Sequence, residues 1–252
     1  MVQVSGGNHE VVVKPASFAL LVSVLPVSSY AIPVTDVAGD LLSTFVPGDS
    51  PASHGDTDVL SSEVSYNLAT KHFTFTGTHA ADIGTSKLGD GTASAIYVWG
   101  LDRGQGTERL TSIVQGVTFD SVVVLAADGT GFFLDLVTAG ATPQGIAGVQ
   151  INGPTISADV DGALITSLNL LAPQDYTWNL WPRFILDNSL IFTDAAVSDF
   201  APDRGNSALT IVGRAINEPG SFAIIALGLA LLFIGIGQNP RWINFLNRSP
   251  RA

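Results

Sequence analysis

Short apolar runs, broken by turn residues at regular intervals, constrain this chain more than any other feature. Glu63-Val64-Ser65-Tyr66-Asn67-Leu68 alternates polar with apolar side chains, and so does His72-Phe73-Thr74-Phe75-Thr76. A period of two puts one set of side chains on each face of an extended strand. No comparable helical period occurs between Ile32 and Ala215. Turn signals separate the runs: Gly89-Asp90-Gly91, Asp102-Arg103-Gly104, Asp128-Gly129-Thr130-Gly131, Asn152-Gly153-Pro154 and Asp161-Gly162. Further strands are expected over residues 96–101, 121–126, 131–137, 148–151, 155–160 and 176–181, with a short helical turn opening at Asp161. This spacing predicts an all-β fold, an antiparallel β-sandwich or jelly roll over residues 52–215. Residues 32–51, which include Pro33 and Pro47, read as a lead-in segment.

Charge narrows the partners. Between Ile32 and Ala215 there are 20 Asp+Glu against 7 Lys+Arg, a formal charge of −13. So acidic a surface repels phosphate backbones, which argues against a nucleic-acid partner. It suits solubility in an extracellular medium, or binding of divalent cations. The chain has no cysteine, so disulfides, thiolate chemistry and Cys-ligated zinc are excluded.

The two ends differ from the middle. Residues Ala16 to Val27 are almost all apolar, Lys14 precedes them, and Ser28-Ser29-Tyr30-Ala31 follows. That order of charge, apolar core and small residues predicts a signal peptide over residues 1–31, cleaved after Ala31. At the other end, Asn217-Glu218-Pro219-Gly220-Ser221 precedes Phe222 to Gly237, sixteen residues without a charge. As a helix this run rises roughly 24 Å, a short span of a bilayer core. Arg241, Arg248 and Arg251 follow it and are expected to stay cytoplasmic.

The order of Glu-Pro motif, short apolar helix and basic tail over residues 216–252 resembles the PEP-CTERM protein-sorting domain. Glu218-Pro219 match that family's motif, and Asn217 stands where its first proline would be. The resemblance implies recognition and processing near Glu218-Pro219 by an exosortase-like enzyme, with the helix at 222–237 as a transient inner-membrane anchor and 241–252 as the basic tail. In the middle, the apolar run Ile96 to Leu101 ends in Asp102, and Asp120-Ser121-Val122-Val123-Val124 follows. This pattern resembles DOMON-like and related carbohydrate-binding β-sandwiches, and implies a non-enzymatic ligand-binding module.

Candidate sites each carry two readings. Asp90, Asp102 and Asp120 lie in or beside turns, and Asp199 and Asp203 form a late pair. Such carboxylates can ligate calcium, which takes oxygen donors, or they can close Asx turns. Trp99, Trp178 and Trp181 could face sugar rings or fill the core; three residues apart on a strand, Trp178 and Trp181 point to opposite faces. His54, His72 and His79 lack the spacing of metal ligands, and His54 sits in a loop with Asp56 and Asp58. There is no G-x-S-x-G, no H-E-x-x-H and no phosphate-cradling loop. The expectation is therefore a non-enzyme without an obligatory cofactor, with calcium as the one candidate ion. Its expected partners are the secretion machinery, signal peptidase, an exosortase-like enzyme and exopolysaccharide, and its expected destination is the cell surface or extracellular matrix. A carbohydrate- or calcium-binding module is the second function class, and a secreted hydrolase the third.

Overall fold

The computed structural model describes residues 33–45, 54–87, 95–168, 171–184 and 194–213. All of them belong to one compact unit, Ser28–Ala215. The expected signal peptide with its cleavage after Ala31, Asp90, the expected motif Asn217-Glu218-Pro219, the apolar run 222–237 and Arg241, Arg248 and Arg251 lie outside the described residues. The described region is all-β and built from antiparallel sheets.

The first sheet orders its strands β1 (Val34–Thr35), β2 (Val59–Asn67), β3 (His72–His79), β11 (Thr155–Asp161) and β10 (Gln150–Asn152). β14 (Thr210–Val212) runs parallel to β2 on the edge it shares with β1, the sheet's exception to antiparallel pairing. The alternation seen in sequence becomes the two faces of this sheet. Val64, Tyr66, Phe73, Phe75, Ile156, Ala158 and Val160 point inward and are buried, while Thr74, Thr76 and Ser157 alternate with them. Gly153 takes φ +56° in the tight turn between β10 and β11, a left-handed conformation that glycine adopts without a Cβ clash.

The second sheet orders β13 (Ser207–Ala208), β12 (Thr177–Phe184), β4 (Ala95–Asp102), β7 (Ser121–Ala126), β8 (Gly131–Asp135) and β9 (Gln144–Gly145). A small ribbon of β5 (Thr107–Glu108) and β6 (Thr118–Phe119) lies beside it in sequence. Tyr97, Trp99, Leu101, Val123, Leu125, Phe133, Trp178 and Leu180 join the inward residues of the first sheet in one core, so the two sheets form a sandwich-like pair. Burying a side chain of this size contributes about 1.5–3 kcal/mol.

The second sheet also buries much of its outer face. Val98, Val122, Val124 and Trp181 pack there against Leu110, Val114, Val117, Phe119, Val197 and Phe200. Continuous apolar runs such as Ile96-Tyr97-Val98-Trp99 and Val122-Val123-Val124-Leu125 reflect that two-sided burial.

Several strand limits differ from the expected ones for local reasons. β8 stops at Asp135, whose Oδ1 accepts the N–H groups of Val137 and Thr138 and folds the chain away. β12 continues through Pro182 to Phe184. Pro182 turns its carbonyl to Ser198 on the irregular edge, so its missing N–H takes no bond from the ladder with β4. The early segment, expected as a lead-in, supplies β1, pairs Val34 with Ser62 and buries Phe45.

Candidate functional site

Three remote segments meet where β2 begins. Asp36 follows β1, and its backbone N–H donates to the Leu60 carbonyl at 2.9 Å. Gly39 takes φ +83° in the next turn and donates its N–H to Asp58 Oδ2 at 2.8 Å. The late segment docks on the same place: Leu42 N–H donates to the Ser198 carbonyl at 2.8 Å, and Ser198 Oγ donates to the Thr57 carbonyl at 2.8 Å. Asp199 then reaches β2, where Val59 N–H donates to its Oδ2 and Phe200 N–H to its Oδ1, both at 2.8 Å.

These contacts gather five carboxylates. Oxygens of Asp36, Asp199 and Asp203 lie within 4.8 Å of one another, and so do oxygens of Asp40, Asp58 and Asp199. Asp199 and Asp58 are buried, Asp36 is half-buried, and Asp40 and Asp203 are exposed. Among the described residues no Lys or Arg forms an ion pair with any of the five. Burial, reinforced by the charges of Asp36 and Asp40, pushes the Asp199 carboxyl up to about 8 against its backbone hydrogen bonds. Burial also raises Asp36 to about 6, with Asp203, Asp40 and Asp58 adding to it, and raises Asp58, with Asp40 adding to it. Asp58 Oδ1 and Asp36 Oδ2 are buried with no hydrogen-bond partner.

The structure thus brings Asp199 and Asp203 together and joins them to Asp36, Asp40 and Asp58. It places the other candidates elsewhere. Asp102 Oδ1 accepts the N–H groups of Gly104 and Gly106 at 2.9 Å each, and its Oδ2 accepts Thr118 Oγ1 at 2.8 Å. Asp120 is fully buried and accepts Arg103 Nε at 2.8 Å, while its second oxygen takes the N–H groups of Arg103 and Gln105. Arg103, equally buried, also reaches Asp135 at 3.0 Å and the Thr166 carbonyl at 3.1 Å. These two aspartates tie loops to strands.

The aromatic and imidazole candidates are likewise committed to packing. Trp99 and Trp178 lie in the inter-sheet core, and Trp181 lies in the outer cluster, its ring 4.7 Å from that of Phe119. His54 is buried between Phe45 and Phe184, and its Nδ1 lies 2.9 Å from Ser86 Oγ. That hydroxyl also contacts the Asp56 carboxylate. His72, exposed, pairs with Asp159, which raises its pKa. His79 is buried with both ring nitrogens unpartnered, and burial depresses it to about 3.

A concavity lies over the outer face of the second sheet. It holds about 440 Å³ and is lined mainly by aliphatic and aromatic side chains, including Val98, Val122, Phe132 and Leu134, with Arg109 and Asp194 among its polar groups. Arg109 stacks over Phe119 at 5.9 Å.

Comparison with protein-family models, with curated proteins and with solved structures finds no match to this chain.

Proposed function

We propose that this chain is an exported protein, sorted through its Glu218-Pro219, apolar-helix and arginine tail to the cell surface or exopolysaccharide matrix, where its β domain has a structural or adhesive role. The observation that carries the non-catalytic part is the commitment of reactive side chains to the scaffold. Asp120 and Arg103 hold each other, Asp102 closes its own loop, His54 and Ser86 are buried together, and all three tryptophans of the domain are packed inside. The close carboxylates do not favour a glycosidase pair. Both oxygens of Asp199 accept backbone N–H groups and the residue is only 2% exposed, so a substrate as large as a glycoside has no access to it.

The export part rests on the sequence of the two ends. Its physical basis is burial of an apolar helix that holds the precursor in the inner membrane until processing. Mass spectrometry of cell fractions tests it. The mature extracellular protein should begin at Ile32 and lack peptides beyond Gly220. An intact Met1 end on that protein would refute the signal peptide, and extracellular peptides from the 222–252 region would refute processing.

A further inference from the structure

We propose that Asp36, Asp40, Asp58, Asp199 and Asp203 form a calcium site, with Asp199 as the ligand common to its two halves. Two observations carry this independently. The first is the convergence of five carboxylates from three segments, two overlapping sets of oxygens each lying within 4.8 Å. A calcium ion bound at about 2.3–2.6 Å spans oxygens on its opposite sides at roughly that distance. The second is the state of Asp58. This residue is only 6% exposed, its Oδ2 is held by Gly39 N–H, and its Oδ1 is buried with no partner. A buried carboxylate oxygen without a donor costs free energy unless something positive meets it. Asp36 Oδ2, from the other half of the cluster, is orphaned in the same way.

The donor chemistry selects the ion. Every donor is a hard carboxylate oxygen, which suits calcium over softer transition metals. The donors come from loops and strand ends rather than from a regular octahedral frame, and calcium tolerates irregular geometry with about six to eight oxygens where magnesium does not. The backbone N–H bonds to Asp58 and Asp199 keep those carboxylates in place, while exposed Asp40 and Asp203 leave a side open for entry.

The consequence is a staple. The ion would tie the segment after β1, the start of β2 and the segment after β12 into one end of the sandwich. In a chain without cysteine that role cannot fall to a disulfide. The site does not depend on the export reading, and its failure would leave that reading untouched.

Calcium titration of the full-length chain by calorimetry, with thermal melting in calcium and in chelator, tests the site. Saturating calcium should raise Tm by about 5–10 °C at one hundred times Kd. Asp40→Asn and Asp203→Asn, at the exposed rim, should each weaken binding at least about tenfold. Asp58→Asn should abolish the shift, and Asp128→Asn, in the turn between β7 and β8, should bind as the parent does. If Asp58→Asn fails to fold, the two rim variants still decide. The site is refuted by absence of heat and of a Tm shift up to about 10 mM calcium, or by parental affinity in both rim variants. An equal shift at equal magnesium concentration would overturn the choice of calcium.

Discussion

Aspartates close several turns of the described region, and what each one does depends on what faces it. Asp128 accepts both the N–H and the hydroxyl of Thr130, which hold its carboxyl below the usual range. Asp120 instead meets a guanidinium in a site closed to water. Replacing Asp120 by Ala removes the fully buried one of Arg103's two carboxylate partners, leaving Asp135 and the Thr166 carbonyl, and should cost about 3 kcal/mol; chemical denaturation measures it, and a loss below about 1 kcal/mol would contradict this role. His79 gives the fold a pH dependence of known sign. Its folded pKa of about 3 lies below the unfolded value of 6.5, so the unfolded chain binds the extra proton between those limits. The contribution is fully present above pH 6.5 and is lost as pH falls toward 3. His79→Leu should therefore melt progressively better relative to the parent as pH is lowered from 7 to 5. A difference that stays constant over that range would show that His79 does not titrate as its burial requires.

Element by element, the two sheets obey different rules. The first sheet has one wet face, so β2, β3 and β11 alternate and their registers are pinned by the core side chains. The second is covered on both faces, so β4 and β7 do not alternate. Close packing on its outer side depends on Gly100, where a Cβ would stand 2.2 Å from the Trp181 ring. Gly100→Ala should thus displace Trp181 and destabilise by about 1–3 kcal/mol. Thermal melting together with tryptophan fluorescence would register both effects, and unchanged spectra and Tm would place the indole elsewhere.

At the scale of the molecule, the strand pattern was legible because alternation is a local property. Residues 121–126 are a strand with the limits expected, and β2, β3, β4, β10, β11 and β12 fall where apolar runs lie between turn signals. The opposite orientation of Trp178 and Trp181 followed from strand geometry alone, and both proved buried because the sheet has two covered faces. The acidic site was legible only in part. Asp199 and Asp203 stood close in sequence, whereas Asp36, Asp40 and Asp58 join them across some 140 or more residues of chain. The loop holding His54, Asp56 and Asp58 was a local signal, while Asp36 and Asp40 fell in a segment read only as a lead-in; nothing local linked them to Asp199. The acidic surplus of the middle also acquires a specific location, since five of its carboxylates occupy one end of the domain.

What the sequence determined by itself is whatever depends on neighbours along the chain: strand periodicity, turn positions, the exclusion of disulfides, and the apolar ends that carry the export proposal. What only the tertiary structure decided is which side chains share an environment. Asp102, Asp120 and Asp199 are the same residue type beside similar strands. One closes a loop, one neutralises a buried arginine, and one is driven toward its neutral form among other acids. Desolvation and charge act through space over a few ångströms, and the distance between two residues in space is set by sheet pairing rather than by their separation in sequence.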